Sequence, residues 1–293
     1  MRAEGRQEDC RGARGGLRSE FMQIALLADI HGNLAALEAV LAEVERLRPD
    51  RIAVLGDIVD GAPDSLACWE RVRGLGAVVL RGNHERYVFD YGTPRAAPEW
   101  STPQFAPIRW AIAQCGEGVR RELAALPLTW TWPDLPELLL VHASIRSDQD
   151  SIFAHTPDVA LAPMFPGLTA TLIARGHNHL AGERLWGERR IVHLGAVGLP
   201  LDGHVAAQFV LLEKRAAGWQ VQHLAVPYDV EATIRRFRES GYLEAGGPMA
   251  RLFLREVATA THHFLPFMRR YGHAIRAGHL TVEVAVTRYL ADF

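Results

Sequence analysis

The chain reads as an α/β protein, a four-layer α/β/β/α sandwich of two mixed β-sheets flanked by helices, with a C-terminal helical appendage. Three observations carry that expectation. Strand and helix patterns alternate as βαβαβ between residues 23 and 80. Short strands with glycine-containing turns dominate from about 183 to 226, and from Asp229 onward the pattern is helical.

Gln23 to Ala28 (QIALLA) is an apolar run suited to a buried strand. Leu34, Leu37, Val40, Leu41, Val44 and Leu47 then recur at helical spacing, with Asn33 as N-cap and Pro49 as the stop. Ile52 to Leu55 is a second strand, Asp64 to Arg73 a helix, and Ala77 to Leu80 a third strand. Residues 91–109 are Pro-rich and read as a loop, and Ile108 to Leu123 as a helix weakened by Gly116 and Gly118. Leu138 to Val141 and Thr171 to Ala174 are further buried strands, followed by antiparallel hairpins to about Val226. In the last part, residues 230–240 and 250–272 are helical in pattern, and Pro266 is expected to kink or break the second. The chain thus divides into a disordered leader (1–21), a main domain (22–228) and a C-terminal extension (229–293) acting as a lid or an oligomer interface. Met22, directly before the first strand, is an alternative start.

Nearly half of the 293 residues are apolar and the net charge is −2. That excludes a broad basic surface for nucleic acid or anionic membrane, but not a small nucleotide. No apolar run approaches the length of a membrane span. Three cysteines, Cys10, Cys68 and Cys115, without paired spacing make neither a disulfide framework nor a zinc knuckle. They read as reduced thiols of a cytoplasmic protein.

Five polar clusters fall at strand ends, where open α/β sheets bind ligands. They are Asp29-x-His31, Gly56-Asp57-x-x-Asp60, Gly82-Asn83-His84-Glu85, His142 and Gly176-His177-x-His179. This mixed set of carboxylates, imidazoles and an amide suits Mn²⁺, Fe or Zn²⁺ better than Mg²⁺ or Ca²⁺. It also exceeds what one ion needs, so a two-metal site is the economical reading.

The ordered set DxH, GDxxD, GNHE, H and GHxH resembles the calcineurin-like metallophosphoesterase superfamily, over about Met22 to Val226. The resemblance implies that Asp29, His31 and His179 bind a first metal, that Asn83, His142 and His177 bind a second, and that Asp57 bridges both. Mn leads among the metals it implies, with Fe, Zn, Ni or Co as alternatives. His84 is implied to be the general acid, oriented and charged by Asp60, with a metal-bridging hydroxide as nucleophile. Arg146, just after His142, and His193, in a strand before Gly195, are candidates for substrate contact. The remaining histidines, His155, His204, His223, His262, His263, His273 and His279, belong to no motif and read as structural or surface.

Protein phosphatases of the superfamily usually carry Arg after the second Asp of GDxxD, and here that position is Gly61. The pattern is closer to the bacterial and archaeal phosphodiesterase branch. Its segment resembling NPGSVGxPRDG is only partly kept in His193-Leu194-Gly195-Ala196-Val197-Gly198-Leu199-Pro200-Leu201-Asp202-Gly203, which lacks the usual Asn, Ser and Arg. The expected activity is hydrolysis of a small phosphodiester, a nucleotide being one candidate. The alternatives are a phosphomonoesterase or protein phosphatase and, in another class, a scaffold such as one retromer subunit. Scaffolds of this fold tend to lose the ligands and the acid, and here all are present.

Overall fold

The computed structural model describes residues 21–293. The expected leader therefore lies, but for Phe21, outside the described residues. Among them, two five-stranded sheets form the centre. The first holds β1 (Met22–Leu27), β2 (Arg51–Val54), β3 (Val78–Val79), β9 (Ala207–Arg215) and β10 (Gly218–Val226), in the order β10-β9-β1-β2-β3. The second holds β4 (Thr129–Trp130), β5 (Leu138–Val141), β6 (Leu172–Arg175), β7 (Ala181–Trp186) and β8 (Arg189–Leu194), in the order β4-β5-β6-β8-β7. Strands β1, β2 and β3 are parallel, as the crossovers predict, while the β9–β10 hairpin closes antiparallel on β1.

The alternation of side chains across a strand explains the layering. On β1, Ile24 and Leu26 face the second sheet and pack with Leu55, Leu138, Leu140, Val192, Leu194 and Val210. Ala25 and Leu27 face the other way, into a cluster with Leu37 and Val40 of α1 (Leu34–Leu47) and Trp69 and Val72 of α2 (Ser65–Arg73). Both faces of β1 are thus covered, which is why its sequence is a continuous apolar run. Each buried leucine contributes about 1.5–3 kcal/mol to holding the layers together.

The cap on α1 forms as expected, with Asn33 Oδ1 accepting from Ala36 N at 3.2 Å. The stretch after the third strand differs from the sequence reading. Asn83–Asp90 is helix α3, beginning inside the GNHE motif. Helix α4 runs Ala106–Ala124 and is kinked at Gly116 (φ 61°), at one of the two glycines that weaken the pattern. A short helix, α5 (Asp158–Leu161), covers the second sheet.

The C-terminal extension holds α6 (Val230–Glu239), α7 (Tyr242–Ala245), α8 (Gly247–Thr259), α9 (Phe264–Arg276) and α10 (Val282–Leu290). The expected break falls earlier than Pro266. The helix stops at Thr259 and restarts at Phe264, so Pro266 sits in a first turn, where its missing N–H has no helical acceptor to lose. The extension is tied to the loops that follow β1 and β2. Thr233 Oγ1 donates to Asn33 Oδ1 at 3.0 Å, and the fully buried Tyr242 hydroxyl donates to Gly61 O at 3.0 Å. Arg236 pairs with Asp64. Among the described residues no helix is long and apolar enough to cross a membrane, and Cys68 and Cys115 are free and buried.

Candidate metal centre

The five strand-end clusters converge on one place. One donor atom each from Asp29, His31, Asp57 and His179 lie within 4.8 Å of one another, and so do those of Asp57, His142 and His177. Asp57 is common to both groups. Its Oδ2 lies 3.6 Å from His31 Nε2 and 3.3 Å from His142 Nε2, while its Oδ1 accepts from His84 N at 2.9 Å.

The backbone is bent to reach this arrangement. Among the described residues, eight that are not glycine have positive φ. Six of them are Asp29, His31, Asp57, Asp60, His177 and His179; the other two, Arg48 and Ala260, end helices. Left-handed backbone costs a non-glycine residue about 1–2 kcal/mol, so this concentration marks a site that the core has to hold in place. Loop-to-loop hydrogen bonds do the holding: Asp29 N to Gly56 O, His31 N to Asp57 O, and Gly198 N to Asp29 O. Glu85, fully buried, gathers four backbone N–H groups, from Asp57, Ile58, Val59 and Gly82, at 2.7–3.2 Å. It locks the GDxxD loop to the GNHE loop, a positioning role the sequence reading did not assign. Only glycine fits at position 82, since a β-carbon there would stand 2.1 Å from Asp57 Oδ1.

The tautomers follow from the partners. Nδ1 of His31, His142 and His179 each faces a backbone carbonyl, of Asp60 at 2.9 Å, Leu55 at 2.7 Å and Leu199 at 2.7 Å. A carbonyl only accepts, so each Nδ1 carries hydrogen and each neutral ring turns the lone pair of Nε2 inward. His31 Nε2 and His179 Nε2 then face each other at 3.1 Å with nothing to share. Asn83 Oδ1 similarly stands 3.1 Å from His142 Nε2 and 3.0 Å from His177 Nδ1. Reversing the Asn83 amide would aim its NH₂ group at the same atoms, so the oxygen-inward orientation calls for positive charge, a metal ion or a proton, among these lone pairs. The residues present therefore fit divalent metal.

The electrostatics agree. Burial opposes charge on His142, but Asp57 overcomes it and raises this imidazole to about 9, a proton taking the place a cation would hold. Burial together with neighbouring His84 and His179 pushes His31 well below its usual value. His177 is pushed well below its own by burial and His142.

His84 stands beside the cluster, its ring 4.6 Å from that of His31. Its Nδ1 pairs with Asp60 Oδ2 at 2.8 Å. Burial works against its charged form, but Asp57 and Asp60 outweigh burial and raise it to about 9. Two candidates are not brought to the cluster. Arg146 is half-exposed and engaged with Asp150 at 2.8 and 3.0 Å. His193 is buried under β6, where its Nδ1 lies 3.0 Å from Nη1 of the fully buried Arg175.

The cluster opens into a cavity of about 430 Å³. Its rim includes His31, Asn83, His84, His177 and His179. The wall carries Phe105, Phe153, Leu199 and Leu201 from the main domain, and Phe253, Glu256, His262, Phe264 and Leu265 from the C-terminal extension. The residues of the second group were not singled out in the sequence, because a helical, motif-free segment does not show which of its side chains face the cluster. Among the described residues, no Arg or Lys lines this cavity.

Fold and donor set mark a candidate dinuclear metal site. The chain belongs to the calcineurin-like phosphoesterase family, whose model matches residues 22–181. It is similar to an uncharacterized protein of Methanocaldococcus jannaschii, 26% identical over 79% of this chain and 97% of that one. It also resembles the symmetrical bis(5′-nucleosyl)-tetraphosphatase of Pectobacterium atrosepticum, 32% identical over 43% of this chain, a match that spans only 50% of that enzyme. Among solved structures, a metallophosphoesterase from Sphaerobacter thermophilus superposes with a TM-score of 0.66 at 26% identity, covering 82% of this chain and 99% of that one. Family and cluster together imply a dinuclear divalent metal site and a hydrolase acting on phosphoesters.

Proposed function

We propose that the protein hydrolyses a phosphodiester, a nucleotide ester being the favoured class. Asp29, His31 and His179 would hold one divalent ion and Asn83, His142 and His177 the other, with Asp57 between them and Mn²⁺ as the expected metal. Such a pair supplies Lewis acidity at the phosphoryl oxygen and lowers the pKa of water. The protein's own contribution is positional and protic. Asp60 fixes the His84 ring through Nδ1, leaving Nε2 to hold a proton and pass it to the leaving alkoxide. Glu85 and the carbonyls behind His31, His142 and His179 keep the donors aimed.

The observation that carries diester over monoester is that, among the described residues, neither Arg nor Lys lines the cavity. A monoester near neutral pH bears close to two charges and offers peripheral oxygens that call for a fixed cation. A diester bears one charge and a second carbon substituent, which an apolar wall covers. Gly61 leaves little room for the usual arginine: with φ at 114°, a β-carbon there would lie 3.0 Å from His31 Cβ. The likeness to a bis(5′-nucleosyl)-tetraphosphatase supports a nucleotide substrate.

Turnover of bis-p-nitrophenyl phosphate and of p-nitrophenyl phosphate, with Mn²⁺, tests the reading. Higher kcat/KM for the diester is expected. Preference for the monoester would overturn the diester assignment, and no turnover with any divalent ion would overturn hydrolysis.

A further inference from the structure

We propose that the C-terminal extension is the selectivity wall of this site. In this reading Phe253, Phe264 and His262 bind a flat aromatic group, of nucleobase size, carried by the phosphoester. The inference rests on the phosphodiester reading but concerns residues outside the 22–181 match to the family.

Four observations carry it. First, these residues line the same cavity as His84 and the metal donors. Second, the Phe253 and Phe264 rings lie 6.3 Å apart and within 23° of parallel, so the wall carries a pair of near-parallel aromatic rings. Third, the corner between α8 and α9 is built to hold them. Buried Glu256 on α8 accepts from His263 N and Phe264 N, both at 2.7 Å, and pairs with His262 Nδ1 at 2.9 Å. A carboxylate serving the first N–H groups of α9 fixes where Phe264 starts, and its grip on Nδ1 leaves the other nitrogen of His262 for a base edge or a ribose hydroxyl. Fourth, the whole extension is anchored to the catalytic loops through Tyr242–Gly61 and Thr233–Asn33, so the wall keeps its place relative to the donors.

The chemistry follows from the lining. Apolar walls with a few oriented polar groups are how small-molecule pockets hold a ligand, and about 430 Å³ falls toward the lower end of their size range. An aromatic wall recognises the π-face that every nucleobase has, whereas an alkyl ester gains nothing from ring stacking.

Two diesters with the same charge and the same leaving group separate this role from chemistry: thymidine 5′-(p-nitrophenyl phosphate) and methyl p-nitrophenyl phosphate. The Mn²⁺-loaded protein is expected to prefer the nucleoside ester. Phe264→Ala is expected to lower kcat/KM for that ester on the order of tenfold, through KM, and that for the methyl ester much less. Phe264→Tyr should restore the preference, and His262→Ala should weaken it less. Calorimetric binding of thymidine 5′-phosphate, against inorganic phosphate, gives a readout free of turnover; Phe264→Ala should weaken only the nucleotide. Equal losses on both esters, or unchanged nucleotide binding, would overturn the selectivity wall. Absence of turnover of both esters with selective nucleotide binding intact would instead overturn the hydrolytic reading.

Discussion

On one side of the cavity, Asp29, His31, Asp57, His177 and His179 stand on left-handed backbone at strand ends, and their donor atoms converge within a few ångströms. On the other side, Phe253, His262, Phe264 and Leu265 come from ordinary helices and one corner, joined by a single buried carboxylate. The first wall accepts backbone strain to fix several donors within a few ångströms. The second fixes only a surface, and helix packing suffices for that. The difference separates what the chemistry requires from what selects its substrate. Substitutions on the first wall should act on all substrates alike, and those on the second should discriminate between them.

The largest effect is expected at the residue shared by both metal groups. Asp57→Asn removes the one charge facing both His31 and His142, so metal content should fall below two ions per chain and turnover of every ester should drop to background. Two retained ions, measured by elemental analysis, would remove Asp57 from the bridging position. Next comes His84→Ala, which should keep both ions and cost about 10²–10⁴-fold with an alkoxide leaving group, less with p-nitrophenolate. An equal loss with both leaving groups would mean that His84 is not the acid.

A subtler expectation concerns metal uptake and pH. His142 at about 9 carries a proton near neutral pH when no ion is present, and that proton must leave before Nε2 can act as a ligand. Apparent affinity should therefore rise with pH toward 9, and binding at pH 7 should release protons, seen as a heat that depends on the buffer's ionisation enthalpy. Buffer-independent heats would contradict the exchange. The smallest effect sits on the second wall, the roughly tenfold, substrate-specific loss at Phe264.

The donor wall was legible in the sequence because its residues must follow strands and fit tight turns. Short motifs such as GDxxD and GNHE carry both demands at once. Glu85 lay inside a motif, yet its work is to gather N–H groups from two loops, and only folded geometry displays that. Arg146 follows the His142 cluster in the chain, and His193 lies in a strand just before Gly195. The fold engages them with Asp150 and with Arg175, because a position near the donors in the chain does not decide where a side chain points.

The sequence by itself determined the sandwich, the parallel run of its first three strands, and the strand-end Asp, Asn and His residues that the fold brings together. Periodicity and turn chemistry are local, and these features depend on little else. The tertiary structure alone decided that β9 and β10 close on β1, that Tyr242 reaches Gly61, and that a helical corner more than seventy residues beyond the last donor comes to wall the cavity. Such contacts arise from the packing of apolar faces that have no residue code of their own, so their partners are fixed only when the whole chain has folded.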